Sequence, residues 1–79
     1  MRAWYEPLEL DLHGLDTIEA SSQTLLALYE FKNDEYNDTM DIIVGIGTGA
    51  LRLTVEEILD KEGYRYSYLN NRAVIRVYK

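Results

Sequence analysis

The sequence has no cysteine, a single proline, a single histidine and a single tryptophan. Without thiols it closes no disulfide and offers zinc no thiolate, and one imidazole does not replace them. At 79 residues it reads as one domain, 1–79, whose small core must hold by packing alone. No apolar run reaches the roughly 20 residues that cross a bilayer. The start, Met1-Arg2-Ala3-Trp4-Tyr5-Glu6-Pro7, also lacks the apolar centre of a secretion signal. The expected setting is cytoplasmic, with no membrane partner.

Positive charge is scarce too. Eight Lys and Arg stand against fourteen Asp and Glu, a net charge of −6, which excludes a broad basic surface for gripping nucleic acid. The imbalance is uneven. Residues 1–50 carry ten acids against Arg2 and Lys32, whereas residues 51–79 carry six basic residues against four acids. An anionic partner should therefore prefer the second half.

What is present is strong patterning. Trp4, Tyr5 and Pro7 are expected to pack the chain's start against a sheet. Leu8, Leu10 and Leu12 alternate with Glu9, Asp11 and His13, the pattern of a strand with one buried face. On that reading Asp11 and His13 project side by side from the outward surface. Asp16-Thr17-Ile18-Glu19 has the spacing of a helix cap answered by a glutamate three residues on, and predicts a helix from about Thr17 to Lys32. Its apolar arc is expected to hold Ile18, Ser21, Leu25, Leu28 and Phe31, with the small residues Ala20, Ser21, Thr24 and Ala27 allowing close approach to a sheet. Asn33 to Thr39 reads as a solvated acidic loop; the glycine and closing glutamate of an EF-hand loop are missing.

The chain is organised around Ile42-Ile43-Val44-Gly45-Ile46-Gly47-Thr48-Gly49-Ala50-Leu51-Arg52. The β-branched run suits a central strand near Met40 to Val44, buried on both faces. The alternating glycines then mark a turn into a helix with Leu51, Val55, Ile58 and Leu59 inside, Thr48 as candidate cap and Gly63 just past its end. Such a turn leaves the first amides of the helix unpaired at its partially positive end, where a phosphate or carboxylate can bind. The turn is neither a dinucleotide fingerprint, for want of a following acidic strand end, nor a Walker A loop, for want of Gly-Lys-Ser/Thr.

Tyr64, Tyr66 and Tyr68 alternate on one strand face, with rings expected on the core and hydroxyls in water rather than stacked on bases. Asn70-Asn71 predicts a tight two-residue hairpin into a last strand from Ala73 to Tyr78. The element order is thus β-α-β-α-β-β, an α/β (α+β) arrangement with right-handed crossovers for the first two connections if the strands are parallel.

Leu10-Asp11-Leu12-His13-Gly14-Leu15, followed by Gly45-Ile46-Gly47-Thr48-Gly49-Ala50-Leu51-Arg52, resembles the Smr (small MutS-related) domain over nearly the whole chain. The Gly-Thr-Gly-x-Leu-Arg portion looks most like the version at the C-terminus of bacterial MutS2 proteins. The resemblance implies a two-layer sandwich similar to the C-terminal domain of translation initiation factor 3, with two helices on one face of a four-stranded mixed sheet. It implies nucleic-acid binding, DNA or RNA, and endonuclease activity on phosphodiesters. By motif, Asp11 and His13 match the Leu-Asp-x-His signature and are the catalytic candidates. Gly45, Gly47, Thr48, Gly49 and Arg52 form the candidate phosphate site, with Arg72 and Arg76 as further nucleic-acid contacts.

Two readings of the pair stand open. In one, the Asp11 carboxylate orients an imidazole that moves protons near neutral pH; in the other, Asp11 and His13 tie the strand end to the glycine turn. Asp11 with waters offers magnesium only a weak site, and no metal ligand set is expected. Because Val44 and Ile46 put no hydroxyl or cation into the loop, a second function class also stands. This is a nuclease-inactive module that docks a larger MutS2-like chain on the ribosome or a protein partner.

Overall fold

The computed structural model describes residues 8–79, so the expectations for Trp4, Tyr5 and Pro7 lie outside the described residues. The elements are β1 (Leu8–Asp11), α1 (Thr17–Lys32), β2 (Thr39–Ile43), α2 (Ala50–Glu62), β3 (Arg65–Leu69) and β4 (Val74–Tyr78). The strands lie in the order β1-β2-β4-β3, the first pair parallel and the others antiparallel. Both helices share one buried cluster with Met40, Ile42, Ile75 and Val77, so they cover a single face of the mixed sheet. The expected α+β two-layer sandwich is therefore the observed one.

Local chemistry explains the element ends. The Asp16 carboxylate accepts from the Glu19 amide at 2.8 Å and starts α1. At the far end of α2, Gly63 takes φ +79, and the Tyr64 amide reaches back to the Leu59 carbonyl at 2.9 Å.

Four expectations are corrected. β2 is buried on one face only, through Met40 and Ile42, because both helices lie on that side. The buried stripe of α1 is Ala20, Thr24, Leu28 and Phe31, while Ile18 and Leu25 face outward. Small residues line the inner stripe, and the Thr24 hydroxyl is satisfied by the Ala20 carbonyl at 2.7 Å, so the helix can lie close to the sheet. The hairpin is a four-residue loop, 70–73, in which Asn70, Asn71 and Arg72 all have positive φ, and β4 starts one residue later than expected. Finally, α2 is capped by Gly49 rather than Thr48, although the Thr48 hydroxyl accepts from the Ala50 amide at 3.3 Å.

The tyrosine row points to the helix side. Tyr64 packs against Phe31, with ring centroids 6.1 Å apart. The other two hydroxyls bond carboxylates of α2: Tyr66 donates to Asp60, and Tyr68 donates to Glu56. Burial, reinforced by Asp60, pushes the Tyr66 phenol up to about 12.

Candidate functional site

Strand β1 ends at Asp11, but the ladder gains one more bond where the Leu12 amide meets the Ile43 carbonyl at 2.8 Å. Leu12 is fully buried and anchors the residues after it. The Leu15 amide then returns to the Leu12 carbonyl at 3.0 Å, closing a turn over His13 and Gly14. This turn takes His13 out of the strand's alternation. Its ring lies against Gly45, where an added Cβ would stand 3.2 Å from His13 Cδ2.

Asp11 does something different from what its spacing suggests. Its Oδ1 accepts from the backbone amide of His13 at 2.9 Å, and Asp11 does not line the cleft in which His13 sits. The carboxylate thus shapes the turn that presents the imidazole, and it makes no hydrogen bond to the ring among the described residues.

Across from His13, the Val44 and Gly45 amides both donate to the Ala73 carbonyl, at 2.8 and 3.0 Å. Gly45 holds φ +75, a conformation that suits glycine. From there to the helix the backbone donors run free. Among the described residues the amides of Ile46, Gly47, Thr48, Gly49, Leu51 and Arg52 have no hydrogen-bond partner. These residues, with His13 and Asp16, line a cleft of about 470 Å³ at the N-terminus of α2.

Arg52 supplies the cleft's cation. Its guanidinium reaches back toward Gly49 and is tethered at Nε to Glu56, 3.9 Å away. Glu56 in turn accepts from Tyr68, whose ring lies 5.5 Å from the Arg72 guanidinium. Arg72 is therefore joined to the cleft through one chain of contacts. Arg76 is not: its guanidinium makes two bonds to Asp41, at 2.9 and 3.1 Å, on the sheet face away from the helices.

Sequence reasoning misses Asp16 and Ile46 as cleft residues, and Glu56 as the tether. Asp16 is legible only as a cap, and Ile46, 78% exposed, stands at the tip of the turn. Asp11 already serves an amide through one oxygen, and among the described residues no three His, Cys, Asp or Glu side chains converge.

The contact between His13 and Gly45 is testable. Gly45→Ala is expected to lower the melting temperature by about 4–16 °C, because a side chain at positive φ costs roughly 1–2 kcal/mol and each kcal/mol is worth about 4–8 °C in a domain this small. Thermal unfolding followed by circular dichroism checks it. An unchanged midpoint would mean that the turn tolerates bulk against the ring.

Comparison with known proteins gives a consistent picture. The family model described as the Smr domain matches residues 10–73. Among solved structures, the chain is similar to the Smr domain of Thermus thermophilus MutS2, with a TM-score of 0.81 and 28% identity over 90% of this chain and 95% of that one. It is also similar to the human small-MutS related domain, with a TM-score of 0.75 and 27% identity over 90% of this chain and 99% of that one. No curated protein matches the sequence.

Proposed function

Since the chain belongs to the Smr domain family, we propose that it binds the phosphodiester backbone of DNA or RNA in the cleft between His13 and the glycine turn, and that the imidazole carries a proton during strand cleavage there. One observation supports this above the rest: a solvent-exposed imidazole faces a bend in which, among the described residues, the amides of Ile46, Gly47, Thr48 and Gly49 lack partners ahead of a helix N-terminus. The cleft falls within the range of about 300–1,000 Å³ seen for small-ligand sites, which suits a phosphate with its sugar.

Roles follow from position. The amides of Gly47, Thr48, Gly49, Leu51 and Arg52 are the donors for the non-bridging phosphate oxygens, and the Arg52 guanidinium adds a charge-assisted contact. Arg72 meets a neighbouring phosphate along the same strand. Arg76, occupied by Asp41, is assigned no contact. The His13 imidazole, set opposite these donors, takes the proton of the attacking oxygen or gives one to the leaving oxygen. The Asp16 carboxylate on the cleft wall limits affinity, so binding by this acidic domain is weak.

Salt dependence tests the binding claim without relying on cleavage. Fluorescence anisotropy of labelled RNA and DNA oligonucleotides against NaCl should give a log–log slope of about −1 to −3, as for one to three neutralised phosphates, and Arg52→Ala should reduce it by about one. A flat response would overturn phosphate as the ligand.

A further inference from the structure

Arg52 stands where a cation is out of place. Helix α2 has no acid in its first turn and carries this arginine there instead, at the end where the helix dipole is positive. Left to itself, a long guanidinium side chain would swing away from the free amides into solvent. The fold holds it in. Nη2 lies 3.3 Å from where a Cβ on Gly49 would stand, so the guanidinium folds back over the start of the helix.

The hold converges on one oxygen. Glu56 Oε2, one turn further along α2, is 3.9 Å from Arg52 Nε and also accepts the Tyr68 hydroxyl. At 3.9 Å the arginine contact is an ion pair without a hydrogen bond, and such a pair in contact with solvent fixes little by itself. The phenol supplies the missing constraint, because it settles which way the carboxylate turns. Its own ring is set by neighbours: it meets the Tyr66 ring edge-on, with centroids 6.0 Å apart, and has the Arg72 guanidinium 5.5 Å from its centroid. The bond to Glu56, reinforced by burial, raises the Tyr68 phenol above its ordinary value, so it remains a donor throughout the neutral range. With Nε drawn toward Glu56, the Nη2 end is left facing Gly49, and that end can fork onto a phosphate.

We propose that Glu56 and Tyr68 are positioning residues: the Tyr68 hydroxyl aims the Glu56 carboxylate, which holds the Arg52 guanidinium over the glycine turn ready for a phosphate. The proposal rests on the reading of the cleft as a phosphate site. It adds that affinity there is set from β3, a strand whose residues do not line the cleft. It also accounts for a carboxylate beside an anion site, where it would otherwise only repel the ligand.

Tyr68→Phe tests it without changing charge, since a phenol is neutral near pH 7, and the ring stays in place for Tyr66 and Arg72. Anisotropy with labelled oligonucleotides at low salt should show binding weakened about two- to twelvefold, the cost of ordering one long side chain that is no longer held in advance. In an Arg52→Ala background the same substitution should change nothing, because the hydroxyl acts through that guanidinium. In ¹H–¹⁵N spectra of the free chain, the Arg52 Nε–H signal should stand apart from that of free arginine and move toward it in Tyr68→Phe. Unchanged affinity in the single variant, or an equal loss with and without Arg52, would overturn the proposal. So would an Nε–H signal already at the free-arginine position in the unaltered chain. If the unaltered chain binds no oligonucleotide, the phosphate reading fails, and the Nε–H signal alone decides whether Glu56 and Tyr68 hold the guanidinium.

Discussion

His13→Ala is expected to reduce cleavage of supercoiled plasmid or structured RNA by about 10²–10⁴-fold, the contribution typical of a positioned proton carrier, while oligonucleotide binding at low salt persists. The expectation comes from where groups stand. His13 is the only histidine in the chain, and it lines the cleft. Asp16, on the same wall, has one carboxylate oxygen engaged with the Glu19 amide. No other group in the cleft is as well placed to move a proton near neutral pH. Assays with and without Mg²⁺, on purified protein, separate the outcomes. Cleavage untouched by the substitution would remove the imidazole from the chemistry, and no cleavage by the unaltered chain would leave a binding domain.

Phe31→Ala should have the largest effect on stability, costing about 3–5 kcal/mol as a buried aromatic is replaced by a cavity. Phe31 is fully buried at the end of α1, against the Tyr64 ring and with the Lys79 ammonium 5.2 Å from its centroid. It therefore ties together α1, the residue leading into β3, and the chain's last residue. Small domains have only about 5–15 kcal/mol to lose, so the melting temperature should fall by at least about 12 °C. A loss under about 1 kcal/mol would mean that the core closes around the vacancy.

The elements that sequence patterning locates correctly are those with more than one signal. α1 has the Asp16 cap and helical spacing, α2 has Gly63 behind it, and the β-branched Ile42-Ile43 run sits centrally in the sheet. The inner face of α1 is misread because that helix carries two apolar arcs. Periodicity alone ranks Ile18 and Leu25 above Ala20 and Thr24, whereas close packing on a sheet favours the small side chains. The hairpin escapes for another reason: left-handed Asn70 and Asn71 are chemically expected, but an arginine in that conformation at position 72 carries no sequence signal.

In the site, the meeting of the histidine with the glycine turn is legible, whereas the bond made by Asp11 is not. Two-residue spacing on an ideal strand puts Asp11 and His13 side by side. The turn begins one residue too soon for that, and the carboxylate meets a main-chain amide. A strand pattern cannot report where its own last residue leaves the ladder.

One carbonyl, that of Ala73, accepts both the Val44 and the Gly45 amides. The glycine turn is thereby geared to the hairpin that ends in Ala73. A ligand that tugs on the turn pulls the β3–β4 unit with it, and lengthening or shortening the hairpin by a single residue would throw the opposite wall out of alignment with the imidazole. The wall opposite the imidazole is thus fastened to the same loop that carries Arg72.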